Sequence, residues 1–226
     1  MNRGRKSRPK NKKRLKIAIP KGRVLKDSLE LLRNAGYISH PDKDYDSRRL
    51  IFDYEDDSVS LLIVKPWDVP TFVEYGASDA GFSGRDVLLE EPKNVYEPLD
   101  LKIGKCMIAV AAGTGFSNST DIYFSKTNLR VATKYVHIAK DFFNRKGVAN
   151  IQIIKLYGNI ELAPVSGLSD LIVDLVSTGE TLRQNKLTPV EEIAKISSRL
   201  VVNRASLKIN PAEIHNLIED LRAQVK

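Results

Sequence analysis

A single cysteine, Cys106, in 226 residues excludes an intramolecular disulfide framework and points to a reducing compartment. Three histidines, His40, His137 and His215, are scattered and form no ligand pair at helical spacing. No apolar run approaches the roughly 18 residues of a spanning helix. No apolar stretch follows the basic N-terminus, so a secretory leader is not expected and the expected location is the cytoplasm. The chain also lacks a Walker A loop, a three-glycine dinucleotide fingerprint and a Gly-x-Ser-x-Gly elbow. Metal and nucleophile motifs are thus scarce, and a metal, if used, is expected to be a hard ion such as Mg²⁺ held mostly by substrate phosphates.

What is present is ordinary globular composition: 42% hydrophobic and 28% charged residues, enough for a sizeable core. The net charge of +8 is misleading. Residues 1–14 carry eight basic side chains (Arg3, Arg5, Lys6, Arg8, Lys10, Lys12, Lys13, Arg14) and no acid. The remaining 28 basic residues balance 28 acidic ones, so the body is neutral. A neutral body without an aromatic stacking pattern argues against a nucleic-acid binder. The tail reads as a disordered, solvated extension, with loose polyanion contact as the other reading.

Hydrophobic periodicity predicts strands at 15–19, 50–53, 59–65, 79–82, 95–99, 105–112, 129–132, 151–156, 171–176, 190–196 and 199–203. Helices are expected from 24 to about 35, from 66 to 75, over 86–89 and 136–144, after Gly179, and over 211–225. An acidic turn (Glu55, Asp56, Asp57) and a polar loop over 113–120 separate strands. Alternating strands and helices imply an α/β fold with largely parallel sheets. The strands are too many for one small sheet, so two lobes with a cleft between them are expected. Cys106, inside an apolar strand, reads as a core residue.

Three strand-to-helix turns carry chemistry. The first is Ser177-Thr178-Gly179-Glu180-Thr181-Leu182, directly after the buried strand 171–176, with Asp174 at its rim. Glycine permits close approach of backbone to ligand, N–H groups at a helix start face an anion, and the hydroxyls add donors. A phosphate monoester suits it, with Asp174 accepting from sugar hydroxyls; a helix cap without a ligand is the other reading. The second, Pro20-Lys21-Gly22-Arg23, suits a polyphosphate or is a solvated basic turn. The third, 79–86, has two glycines, Gly81 and Gly84, and is either a ligand-approaching loop or a simple connection.

Six ordered blocks resemble the ATP phosphoribosyltransferases, in their short catalytic form: IAIPKGRVL (17–25), Arg48-Arg49-Leu50, DVPTFVEYGASDAGFSGRDVLLE (68–90), RVATKYV (130–136), IKLYGNIELAP (154–164) and GLSDLIVDLVSTGETL (167–182). The resemblance implies a two-lobed α/β fold like the type II periplasmic binding proteins, with a substrate cleft between the lobes. Domain I would be 15–104 plus 188–226, domain II 105–187. The implied reaction joins N1 of ATP to C1′ of phosphoribosyl pyrophosphate, releases pyrophosphate and opens histidine biosynthesis. The last block resembles the family's phosphoribosyl-pyrophosphate loop.

By position in these blocks, Glu161, Asp174 and Ser177, Thr178, Gly179, Glu180, Thr181, Leu182 are expected to bind phosphoribosyl pyrophosphate. Arg23, Arg48 and Lys21 are expected to act on the leaving pyrophosphate with Mg²⁺, Arg49 being the alternative to Arg48. Lys21, Gly22, Lys65, Gly81, Gly84 and Lys134 are expected at ATP. A homodimer within a hetero-octamer, completed by a regulatory subunit resembling histidyl-tRNA synthetase, is implied. Lys65 stands where many members have Arg, Val136 where proline is common, and Asn159 in place of a small residue. A non-catalytic binding protein of the same fold is the competing reading.

Overall fold

The structure, a computed structural model, describes residues 14–39, 45, 48–54, 59–113, 119–124 and 126–225. Most of the basic tail, His40, the acidic turn at 55–57 and most of the loop at 113–120 lie outside the described residues. The chain divides into two compact units, one of residues 1–83, 93–103 and 198–226, the other of 84–92 and 104–197.

In chain order the elements are β1 Leu15–Pro20, α1 Leu25–Asn34, β2 Ile51–Tyr54, β3 Val59–Val64, α2 Val69–Glu74, β4 Ala80–Gly84, α3 Arg85–Glu90, β5 Val95–Asp100 and β6 Cys106–Gly113. Then follow α4 Ser119–Phe124, β7 Leu129–Thr133, α5 Val136–Arg145, β8 Ile151–Lys155, α6 Leu162–Val165, β9 Leu171–Val176, α7 Glu180–Gln184, β10 Leu187–Ile196, β11 Ser198–Asn203, α8 Arg204–Ile209 and α9 Pro211–Gln224. A 3₁₀ turn, Pro66–Asp68, precedes α2.

The first unit is built on a six-stranded sheet of order β2-β3-β1-β4-β11-β5. Its centre is parallel, with Pro20 opposite Val64 and Ala18 opposite Gly81. Ile17, Ile19, Leu61, Ile63 and Phe82 are essentially solvent-free there. Helix α1 buries the stripe its periodicity predicts, Leu25, Leu29 and Leu32, together with Ser28 and Leu31. It ends at Gly36, whose φ of 75° needs no Cβ, and Tyr37 N–H returns to the Leu32 carbonyl. Helix α9 starts with proline at its first position and buries Ile214, Leu217, Ile218 and Leu221. Each such aliphatic side chain contributes about 2 kcal/mol by leaving water.

The second unit carries a five-stranded sheet of order β10-β6-β9-β7-β8. Strands β7, β8 and β9 run parallel, while β6 is antiparallel to both β9 and β10. Both sheets are therefore mixed rather than largely parallel. The alternation of strands and helices counts crossovers correctly only where sequence neighbours are also sheet neighbours. Strands β2 and β3, neighbours in sequence, pair antiparallel, and β11 pairs antiparallel with β5.

Two boundaries differ from those expected. Residues 187–196 pair along β6, from Leu187 opposite Gly113 to Ile196 opposite Cys106, so the chain leaves the second unit at 197. Residues 84–92 also belong there, held by Glu90, which accepts from the His137 and Ile138 N–H groups at the start of α5. Cys106 is the first residue of β6 and only half-buried, not a core residue, because it sits at the strand's end. No helix among the described residues is long and apolar enough to cross a membrane.

Candidate active site

In the second unit, three parallel strands end side by side: Thr133 of β7 lies opposite Lys155 of β8 and Val173 of β9. Carboxyl ends of parallel strands are where α/β sheets receive ligands. Lys134 follows β7, Glu161 lies beyond β8, and Asp174 and the 177–182 turn come from β9 and its exit. Glu161 is reached through Asn159, whose φ of 49° is left-handed. Asparagine is among the few residues that adopt this readily.

Gly179 has φ 77°, and a Cβ there would meet only Val176 Cγ1 at 3.9 Å. Glycine is thus required by backbone conformation and not by crowding. Ser177, Thr178 and Thr181 are exposed, and Leu182 is buried and anchors the short helix to the core. The Glu180 carboxylate turns back onto its own helix, accepting from Arg183 Nε at 2.9 Å, Arg183 Nη2 at 2.7 Å and Gln184 Nε2 at 2.9 Å. Hydrogen bonds from Arg183 and Gln184 lower its pKa. Its charge is neutralised locally, so the turn stays favourable to an anion.

Asp174 is mostly buried and its Oδ1 makes no hydrogen bond. The nearest cation, Lys134 Nζ, lies 3.6 Å away. Burial pushes the Asp174 carboxyl up, Lys134 and the Leu175 N–H pull it down, Glu161 pushes it up again, and the net shift is upward. A buried acceptor without a donor is costly and marks a place for one. Lys134, expected at ATP, thus has its ammonium on the same carboxylate that is expected at the sugar.

In the first unit, a second group of candidates leaves the same end of adjacent parallel strands. Lys21-Gly22-Arg23 follows β1 and Lys65 follows β3, and the Lys21 N–H bonds the Val64 carbonyl at 2.8 Å. Gly22, at φ 99°, supplies the left-handed turn that lets the Gly22 carbonyl accept from the Leu25 N–H at 3.0 Å. Lys21, Arg23 and Lys65 are exposed, a cationic edge suited to polyphosphate oxygens. Arg48 is exposed too. Its neighbour Arg49 is engaged locally, with Nε donating to the Ile51 carbonyl at 2.7 Å and its guanidinium over the Phe52 ring.

The two loop glycines have structural duties. A Cβ on Gly81 would lie 2.8 Å from Val69 Cγ1 and 2.9 Å from Val73 Cγ2, so its absence lets α2 pack on the sheet. A Cβ on Gly84 would lie 2.2 Å from Asp86 Oδ1. Sequence reasoning passed over Asp86, whose Oδ2 accepts from the buried Tyr135 hydroxyl at 2.7 Å. The two are 49 residues apart, and no local spacing joins them. Among the described residues, no group of three or more His, Cys, Asp or Glu could hold a metal ion.

A glycine turn with hydroxyls beside an unsatisfied carboxylate suits a phosphorylated sugar, and a separate cationic edge suits a polyphosphate. Such a pair of sites, one on each unit of a two-sheet α/β fold, has the chemistry of enzymes that act on phosphorylated sugars. The family model "HisG: ATP phosphoribosyltransferase" matches residues 65–223. The chain is 51% identical over 209 residues to "ATP phosphoribosyltransferase 2" of Geobacter sulfurreducens, covering 92% of this chain and 97% of that protein. It is 50% identical over 215 residues to the ATP phosphoribosyltransferase of Pseudomonas fluorescens, covering 94% and 97%. The solved ATP phosphoribosyl transferase (HisG:HisZ) complex from Thermotoga maritima is similar at TM-score 0.77 and 32% identity, over 93% of this chain and 98% of that one. The periplasmic aliphatic sulphonate binding protein SsuA of Escherichia coli, at TM-score 0.60 and 14% identity, covers 93% of this chain and 72% of its own, and shares the fold alone.

The chain belongs to the ATP phosphoribosyltransferase family. It is an enzyme of the first step of histidine biosynthesis, on a two-lobed α/β fold of the type II periplasmic-binding-protein kind. The non-catalytic alternative falls with that membership.

Proposed function

We propose that the strand ends of the second unit bind phosphoribosyl pyrophosphate and that the cationic edge of the first unit handles the polyphosphates. The unsatisfied Asp174 Oδ1 carries this reading, because a ribose hydroxyl would supply the donor it lacks. Backbone N–H groups of the 177–182 turn, with the Ser177, Thr178 and Thr181 hydroxyls, anchor the 5′-phosphate. Leu182 holds the turn to the core, and Gly179 sets its conformation. Glu161 and Asp174 place negative charge beside C1′, where positive charge develops as the bond to pyrophosphate breaks.

Lys21, Arg23 and Arg48 stabilise the leaving pyrophosphate. Lys21, Gly22 and Lys65 contact ATP, with Lys65 offering a point charge in place of an arginine fork. The glycines Gly81 and Gly84 shape the loop that faces ATP, and Lys134 serves the phosphoribosyl side through Asp174. N1 of adenine is itself the nucleophile, so catalysis is positioning and electrostatics without a strong base. The C1′–O bond to pyrophosphate breaks as the C1′–N1 bond forms, and pyrophosphate leaves with the bonding pair. A divalent cation such as Mg²⁺, held mostly by the substrate phosphates beside Lys21, Arg23 and Arg48, would supply charge neutralisation at the leaving pyrophosphate. The enzyme acts in the cytoplasm as a homodimer, within a hetero-octamer completed by a HisZ-like regulatory subunit. The likeness to the HisG:HisZ complex supports that partner.

The test is a coupled absorbance assay of phosphoribosyl-ATP formation with ATP, phosphoribosyl pyrophosphate, Mg²⁺ and pyrophosphatase. Turnover falls at least about 100-fold in Arg23→Ala and in Asp174→Ala, the scale of losing one group that stabilises transition-state charge. Unchanged turnover in both would refute these roles.

A further inference from the structure

We propose that Tyr135 is a positioning residue for the phosphoribosyl site: its buried ring holds the Lys134 ammonium at Asp174, and Asp86 and Thr133 fix the ring. The proposal rests on the reading of Asp174 and Lys134 given above. Lys134 Nζ lies 4.9 Å from the Tyr135 ring centroid and 3.6 Å from Asp174 Oδ1. The second distance is too long for a hydrogen bond. Lysine has a flexible stem with several rotatable bonds, so something else must limit where its ammonium rests. The ring face does this, since a cation within about 6 Å of a tyrosine centroid is drawn to its negative π surface.

The ring itself has no freedom. Tyr135 is 0% exposed, which forbids rotation without repacking. Its N–H donates to Thr133 Oγ1 at 2.8 Å, and its hydroxyl donates to Asp86 Oδ2 at 2.7 Å. Thr133 Oγ1 in turn donates to the Val173 carbonyl at 2.6 Å, one residue before Asp174. The ring, the lysine and the carboxylate are thus tied to one pair of strand ends. Gly84 completes the arrangement, because any larger residue would occupy the space of Asp86 Oδ1. The phenol stays protonated: burial, Asp86, Asp174 and Cys106 all push its ionisation upward. It remains a donor to Asp86 throughout the working pH range.

The consequence falls on Asp174. Around it Lys134 favours the ionised carboxylate, while burial and Glu161 oppose it, and Tyr135 and Cys106 are the other titratable groups nearby. Releasing Lys134 from the ring therefore weakens sugar binding and makes Asp174 easier to protonate.

The experiment is calorimetric titration with phosphoribosyl pyrophosphate of the wild type, Tyr135→Phe, Tyr135→Leu, Lys134→Met, Asp174→Asn and the double variant Lys134→Met/Tyr135→Leu. Thermal melts and binding stoichiometry report the folded fraction. Tyr135→Leu weakens binding about fivefold or more at unchanged stoichiometry, the scale of a partly desolvated cation–π contact. Its acid limb of affinity moves up by about half a pH unit or more. Tyr135→Phe, which keeps the ring, stays within about twofold although its melting temperature falls. The double variant binds no more weakly than Lys134→Met alone. A purely packing role would lower stoichiometry and leave affinity and its pH dependence alone. Wild-type affinity in Tyr135→Leu, equal losses in Phe and Leu, or additive losses in the double variant would overturn the proposal. Wild-type affinity in Asp174→Asn would instead overturn the underlying site reading, and this proposal with it.

Discussion

Replacing Asp170 by asparagine is expected to cost stability in a way that depends on pH. Asp170 precedes β9, the strand that carries Asp174, and clamps it to the start of β7. Its carboxylate accepts from the Arg130 N–H at 2.9 Å, Arg130 Nε at 3.3 Å, Arg130 Nη2 at 3.1 Å and Lys126 Nζ at 2.7 Å. Arg130 Nη1 adds a bond to the Gly167 carbonyl at 2.9 Å. Burial pushes the Asp170 carboxyl up, but the bonds from Arg130 and Lys126 outweigh it and hold the pKa at about 2, against the usual 3.8. That difference corresponds to about 2 kcal/mol of linkage. Lys126 and Arg130 reach solvent, and screening reduces the figure to about 1 kcal/mol.

The folded pKa is depressed, so this stability is fully present above about pH 4 and is lost as the pH falls through 2. Urea unfolding of the wild type and Asp170→Asn at pH 7, 5, 4 and 3 provides the check. The difference is about 1 kcal/mol at pH 7 and pH 5 and shrinks between pH 4 and pH 3. A difference that stays constant across this range, or is absent at pH 7, would refute the clamp as an ionic one.

Three further outcomes are expected. Gly81→Ala forces a Cβ to within 3 Å of two valine methyls of α2 and to 3.1 Å of the Ala18 carbonyl, and is expected to destabilise by about 1–3 kcal/mol in denaturant unfolding. Asn203→Ala removes the cap on Ser206 N–H and the bonds to the Val73 and Glu74 carbonyls, costing about 2 kcal/mol or more in the same assay. Gly179→Ala meets no crowding but strains a left-handed residue, by about 1 kcal/mol; its signature is a raised KM for phosphoribosyl pyrophosphate with little change in melting temperature.

The strands and the two long amphipathic helices were legible because their periodicity is local. Leu25, Leu29 and Leu32 on α1, and Ile214, Leu217, Ile218 and Leu221 on α9, are the buried residues the pattern singles out. The short helices α4, α6 and α8 were not: four to six residues do not complete two turns of a stripe, and unlike α2, α3 and α7 they were not flagged by a proline or glycine start after a strand. The capping of α8 by Asn203 was the one local signal available for it. Sheet direction escaped because it depends on which strands become neighbours.

At the candidate site, residue types were legible but partners were not. Gly179 announces its own left-handed backbone, whereas Gly81 and Gly84 read equally as a ligand-approaching loop or a simple connection, and their crowding by Val69, Val73 and Asp86 has no signature in the sequence. Lys134 is expected at ATP from its place in the block 130–136, and only the parallel pairing of β7 with β9 brings it to Asp174. The Tyr135–Asp86 bond joins two distant segments and has no signature in either.

Separate duties for the two charged clusters are open to a direct test. Calorimetric titration with ribose 5-phosphate and with Mg²⁺-pyrophosphate, each against the wild type, Asp174→Ala and Arg23→Ala, provides it. A crossover is expected: Asp174→Ala loses ribose 5-phosphate binding and keeps pyrophosphate, while Arg23→Ala does the reverse. Loss of both ligands in either variant, or the opposite crossover, would contradict it.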